Sequence, residues 1–306
     1  MQEDLRENNM EVRSMLFLLM AAFIWGVAFV AQSVGMEFVG PFTFNAARFL
    51  LGGIVLLPMT LYRRKKKQRD SSLSPQQLKI RDRFTLMGGI CCGAAIFIAS
   101  TFQQVGMQYT GVGKAGFITA LYIVIVPFLG MFLGKKVPAV LWIGAMVAVG
   151  GFYLLCITRG FILNKGDFLI FLCAVSFSFH ILIIDYYAPK ADGVAISCIQ
   201  FLFSGAVSAV PALWKEEFTL EALGQAALPI AYAGIFSCGV AYTLQILGQA
   251  KVKPSLASLI LSLESVISVL AGWILLGEVL TGRQLAGCVM VFLAVIIAQL
   301  SQAQEN

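Results

Sequence analysis

Ten stretches of this 306-residue chain stay apolar for about twenty residues at a time. Lipid offers no hydrogen bonds to an exposed backbone, so a chain that crosses it does so as helices or as a closed barrel. A helix rises about 1.5 Å per residue and the hydrocarbon layer is about 30 Å thick, so runs of this length read as spanning helices. They are 14–35, 41–62, 84–108, 114–134, 138–158, 166–187, 194–214, 227–249, 254–277 and 282–301. Hydrophobic residues make up 59% of the chain and charged residues only 12%. A soluble domain is nearer a quarter charged and needs that polarity to coat itself. The chain therefore reads as an all-α membrane protein with ten transmembrane helices.

The two halves echo one another. Phe132-Leu133-Gly134 is followed ten residues later by Gly144, and Leu275-Leu276-Gly277 ten residues later by Gly287, at an offset of 143. Thr101-x-Gln103-x-x-Gly106 returns as Thr243-x-Gln245-x-x-Gly248, at an offset of 142. Five spans per half would turn the second copy upside down. Two inverted five-helix repeats are the architecture of many secondary transporters, whose binding site lies near the pseudo-symmetry axis. The repeats are 1–160 (spans one to five) and 161–306 (spans six to ten), with a basic loop at 63–83 inside the first. Gln103 and Gln245 then sit at equivalent depths. At offset 143 Tyr122 matches Ser265, Glu264 falls opposite Leu121, and His180 has no histidine counterpart in span one.

Basic residues set the orientation. With the amino terminus inside, the inner connections hold Arg6, Arg13, Arg63, Arg64, Lys65, Lys66, Lys67, Arg69, Lys79, Arg81, Arg83, Lys135, Lys136, Lys190, Lys251 and Lys253. The outer ones hold only Lys114, Arg159, Lys165, Lys215 and Arg283. Sixteen against five predicts both termini in the cytoplasm of a plasma or inner membrane. The net charge of +6 thus reads as a topology signal facing anionic lipid, and no nucleic-acid partner is expected. Within 63–83, Ser74-Pro75 is placed to start a short surface helix, and Thr281 to cap the last span. The acidic start and the long first span do not suit a cleaved signal peptide.

Polar groups inside the hydrocarbon region are costly and are functional suspects by default. Arg48 lies about two turns into span two and reads as a structural charge that snorkels to the outer surface, with anion binding as the other reading. Glu264 is too deep to snorkel. It needs a partner, with Ser268 and Arg48 as the candidates, and suits proton coupling or a substrate ammonium. His180, the single histidine, titrates near neutral pH when unperturbed and is the second coupling candidate. Gln103 and Gln245 gain weight from their recurrence. Trp25, Tyr122 and Tyr242 are placed to wall a pocket for an apolar or cationic solute. The serines Ser255, Ser258, Ser262 and Ser265, the pair Gly89 and Gly93, and the row Gly144, Ala148 and Gly151 read as helix-packing seams.

The seven cysteines lie in apolar segments without zinc-like spacing, so no metal is expected. No phosphate-binding glycine loop, HExxH or nucleophile–histidine–acid set is present. Neither an enzyme nor a cofactor is indicated.

The residues also resemble a known group over essentially the whole chain, the EamA family of the drug/metabolite transporter superfamily. The resemblance rests on Ala21-Ala22-Phe23-Ile24-Trp25-Gly26, on Asn45-Ala46-Ala47-Arg48-Phe49-Leu50-Leu51, on Leu263-Glu264-Ser265-Val266 and on Gly272-Trp273-Ile274-Leu275-Leu276-Gly277-Glu278. Two departures stand out. Ser265 occupies the place after the span-nine acid where proline is common, which leaves no basis for a kinked span nine. Gly134-Lys135-Lys136 stands where Gly-Glu is usual. The resemblance implies a ten-helix carrier of amino acids, other small metabolites or drugs, often outward, with a cavity lined by spans one, three, four, six, eight and nine.

The expected function is a secondary transporter of a small organic solute, working by alternating access and a candidate for proton coupling. The expected site is Trp25, Gln103, Tyr122, His180, Tyr242, Gln245 and Glu264. A non-transporting scaffold is the second class and would have a dry, closed axis. Solute and lipid are the expected partners, and a homodimer is compatible with the sequence.

Overall fold

The computed structural model describes residues 2–69, 74–156, 164–277, 279 and 281–305. Arg159 and Glu278, used above for orientation and resemblance, lie outside them. The described residues are helical throughout apart from short connections, with no strand among them. Among the described residues eight helices are long and apolar enough to cross a membrane: Val12–Gly35, Pro41–Lys66, Pro75–Met107, Val112–Phe132, Lys165–Lys190, Gly193–Lys215, Ala227–Gln249 and Pro254–Leu276. The predicted fifth and tenth segments are the helices Ala139–Cys156 and Gly282–Glu305. The ten are numbered here helix one to helix ten in chain order.

The Ser74 hydroxyl accepts a hydrogen bond from the Gln77 amide, and the Gln77 side-chain oxygen accepts one from the Ser74 amide, with Pro75 at the first helical position. The predicted start is therefore correct, but no separate surface helix follows. Helix three runs unbroken over Pro75–Met107, because Gln76 to Met87 contains neither glycine nor proline to stop it. Thr281 caps helix ten through the Gln284 amide. The large apolar side chains left exposed, such as Phe23, Phe132 and Trp214, suit a lipid environment.

Packing follows the repeat. Helix one lies against helices eight and nine, and helix six against helices three and four. Helix two packs on helices seven and eight, and helix seven on helices two and three. Helices four and nine meet, as do helices five and ten. Swapping the halves turns this set of contacts into itself. Apolar association counts for little in lipid, so small residues must let the backbones approach. A Cβ on Gly89 would come within 2.6 Å of Ile199, and one on Gly151 within 2.8 Å of the Gly287 carbonyl. Both glycine stripes are therefore packing seams, between helices three and seven and between helices five and ten.

Helices four and nine are each interrupted. Helix four is Val112–Thr119 followed by Tyr122–Phe132, and helix nine is Pro254–Leu261 followed by Leu263–Leu276. At the first break the amides of Leu121, Ile123 and Val124 bond three residues back instead of four. Pro127 sits one turn on and cannot donate to the Ile123 carbonyl, which accounts for the disturbance. Helix nine breaks without a proline. Ser262 and Ser268 hydroxyls bond the carbonyls of Leu259 and Ser265, three residues back, and the Ser265 amide bonds the Ser262 carbonyl. Serines that bond back in this way bend helices. Both helices end beside a left-handed glycine, Gly134 (φ 74°) and Gly277 (φ 69°), a conformation that costs any other residue more.

Candidate functional site

Between the halves lies a small cavity, with about 40 Å³ of accessible space, lined by side chains from both. Six of the seven predicted site residues line it: Trp25, Gln103, Tyr122, Tyr242, Gln245 and Glu264. His180 does not. It stands one layer behind, fully buried, with its ring 5.9 Å from that of Tyr242 and Nε2 3.2 Å from Gln200 Oε1.

Glu264 accepts a 2.8 Å hydrogen bond from the Tyr122 hydroxyl. Neither predicted partner is used: Ser268 bonds its own helix, and no ion pair joins Glu264 to Arg48 among the described residues. The register is also corrected. Offset 143 sets Glu264 opposite Leu121 and Tyr122 opposite Ser265, whereas the structure joins Glu264 to Tyr122, 142 residues away. The helices begin 142 apart, at Val112 and Pro254, and reach their terminal glycines 143 apart. The extra residue of the second copy thus falls after the break. Ser265 instead crosses between copies by donating to the Gly116 carbonyl, at 2.8 Å.

Arg48 is corrected as well. Its side chain stays inside, 4% exposed, and lines the cavity. Nε donates to Asn45 Oδ1 at 2.9 Å and Nη1 to Gln32 Oε1 at 3.0 Å, near the C-terminal end of helix one. The Phe49 ring lies 4.7 Å from the guanidinium carbon.

Most of the cavity wall is paired between the halves. Gln103 and Gln245, Thr119 and Leu261, and Tyr122 and Glu264 are each 142 apart; Trp25 and Phe177, and Phe29 and Ile181, are each 152 apart. The long connection 63–83 lies between the two sets and absorbs the ten-residue change. Thr119 and Tyr122 flank the break in helix four, and Leu261 and Glu264 flank the break in helix nine. Four lining residues, Gln32, Arg48, Ser237 and Tyr242, have no lining counterpart.

Several of these were missed from sequence although a signal existed. Phe29 and Gln32 follow Trp25 at i+4 and i+7, on the same helical stripe. Ser237 carried no such signal. It lies five residues before Tyr242, a spacing that faces apart on an α-helix. Residues Tyr232–Ala241 form a π-helix, whose wider i→i+5 turn brings the two to one wall.

The amides are unequally used. Gln103 Nε2 is 3.4 Å from Thr119 Oγ1, while Gln245 Oε1 and Trp25 Nε1 are buried without a hydrogen-bond partner. The Trp25 and Tyr242 rings pack at 4.5 Å. The arrangement offers an aromatic wall, amide groups, one cation and one carboxylate, which together can hold a small polar or amphipathic solute. Among the described residues no three or more His, Cys, Asp or Glu side chains come together to hold a metal.

Comparison with known proteins gives a consistent picture. The EamA-like transporter family matches residues 12–157 and again residues 164–299. The two matches start 152 residues apart, the separation of the helix-one and helix-six pairs. An "uncharacterized transporter" of Archaeoglobus fulgidus is 32% identical over 93% of this chain and 85% of its own. The Bacillus subtilis "uncharacterized transporter YwfM" is 24% identical over 95% of each chain. A solved crystal structure shares the fold with a TM-score of 0.76, at 20% identity, over 96% of this chain and 98% of its own.

Proposed function

The chain belongs to the EamA-like transporter family, and from that premise we propose that it is a secondary carrier of small organic metabolites, amino acids and their relatives included. It has ten spans in two inverted five-helix repeats, with both termini cytoplasmic, in the plasma or inner membrane. The repeats rock about the cavity, open it to each face in turn, and export the solute.

The observation that carries this reading is the placement of the two helix breaks in the cavity wall. A helix broken beside its ligand can swing one half without dragging the other, and discontinuous helices at the midplane are a recurring device of secondary carriers. The exchange of helix contacts between halves supports the same motion. The scaffold alternative called for a dry, closed axis, and a cavity holding Gln103 and Gln245 argues against it.

Protons are the proposed coupling ion. Glu264 reaches the cavity directly, and His180 sits behind Tyr242 where it can sense the ring's position. Uptake into proteoliposomes by Glu264→Gln and His180→Ala tests this part, which fails if each variant keeps the pH dependence of the parent protein. The carrier reading itself is tested by counterflow. Proteoliposomes preloaded with amino acids, amines or small organic acids are expected to accumulate labelled solute of at least one class, and absence of counterflow in all three contradicts it.

A further inference from the structure

Arg48 is a permanent charge in the cavity wall that the carrier reading leaves without a task. Its two hydrogen bonds go to neutral amide oxygens, those of Asn45 and Gln32. Among the described residues it makes no ion pair, and no hydrogen bond is made by Nη2. A buried guanidinium held only by neutral groups is expensive, because burying a charge costs heavily unless it is paired. Phe44 and Phe49, with ring centroids 5.6 and 4.7 Å from the guanidinium carbon, pack beside it. The side chain is therefore fixed in place with one donor edge unused.

The second half does not repeat this arrangement. Gln200, 152 residues after Arg48, turns its Oε1 to His180 Nε2 and does not line the cavity. Glu264, the acid in the wall, already accepts from the Tyr122 hydroxyl. The missing partner of Arg48 is a planar anion that can accept from its free edge, which is the geometry of a carboxylate.

We propose that Arg48 is the carboxylate receptor of the cavity: the solute carries a carboxylate that docks on the free Nη2 edge, while its apolar body lies against the paired rings of Trp25 and Tyr242. The proposal rests on the carrier reading only in equating this ligand with the transported solute. The unpartnered Trp25 Nε1 and Gln245 Oε1 then serve the polar groups along that body.

Three probes with a common phenyl ring separate the possibilities. 3-Phenylpropanoate has the carboxylate alone, L-phenylalanine has carboxylate and ammonium, and L-phenylalaninamide has the ammonium alone. Calorimetry on the purified full-length protein is expected to register the first two, with the amide bound at least tenfold more weakly. Arg48→Gln is expected to lose at least tenfold in affinity for both acids, and Arg48→Lys to recover part of it. Gln32→Glu places a carboxylate beside the guanidinium without removing it and is expected to expel the acids in the same way. It also decides the matter if Arg48→Gln does not fold.

Equal binding of the amide and the acids overturns the proposal, as does unchanged acid binding in Arg48→Gln and Gln32→Glu. Absence of binding by all three probes also overturns it. The carrier reading stands in that case if counterflow of another solute is intact. Loss of counterflow for every solute, with Arg48-dependent binding of 3-phenylpropanoate retained, has the opposite meaning.

Discussion

Helices four and nine start alike, break at matched positions and end beside the same left-handed glycine, yet they bring different chemistry to the cavity. Where helix four presents the Tyr122 hydroxyl, helix nine presents the Glu264 carboxylate, and the two bond each other at 2.8 Å. Helix four is also tied to helix six near both ends, by Lys114 to Asp167 and by Lys135 to Asp185. Among the described residues no ion pair joins helix nine to helix one. There, Gly26 lets helix nine approach so closely that a Cβ would sit 2.5 Å from Ile267 Cβ and 2.8 Å from the Glu264 carbonyl. Duplication supplied the frame, and divergence within it supplied a donor on one side and an acceptor on the other.

The comparison breaks most severely at Gly26. Gly26→Leu is expected to push helix nine from helix one, abolish transport and cost about 3 kcal/mol, the upper range for overpacking a tight contact. Uptake and thermal melting in detergent measure both. Next comes the bond between copies. Tyr122→Phe leaves Glu264 without its donor, and transport is expected to fall about tenfold, in line with about 1–3 kcal/mol for leaving a buried polar group without its partner. Leu121→Met serves as the control and is expected to stay within about twofold, since a volume-conserving change costs little. The reverse ranking would mean that the bond to Glu264 carries little of the function.

A smaller effect is expected at the break in helix nine. Ser265→Pro removes one amide donor and the bond to Gly116, but acts where the helix is already interrupted. It is expected to cost about 1 kcal/mol, against about 3 for proline inside a regular helix. The smallest effects come from the terminal glycines. A Cβ at Gly134 or Gly277 would meet nothing within 4 Å, so only the left-handed backbone matters. Gly134→Ala and Gly277→Ala are each expected to cost about 1 kcal/mol, and equally. Unequal melting shifts would mean that the two helix ends are not equivalent.

The helices were legible in the sequence because lipid forbids any other use for such apolar runs. Six of the seven expected cavity residues were legible too, because a polar or aromatic group at that depth has few other roles. What escaped depended on geometry that a regular helix does not have. Ser237 reaches the wall only through the π-helix, and the break at Ser262 comes from serines bonding backward, with no proline to mark it. The pairs Trp25–Phe177 and Phe29–Ile181 were hidden because the basic loop shifts their register by ten residues. Arg48 was expected to reach outward because a long cation near a helix end usually snorkels. Gln32 and Asn45, which hold it inside, are both neutral, and Gln32 lies on another helix.

The central claim is that the wall around the two breaks is exposed to each side of the membrane in turn. Thr119→Cys and Leu261→Cys, made singly in a background lacking the seven native cysteines, test it without knowledge of the solute. With a membrane-impermeant maleimide applied to one face at a time, each cysteine is expected to be labelled from both faces. Labelling of either cysteine from one face alone, or from neither, would contradict the account.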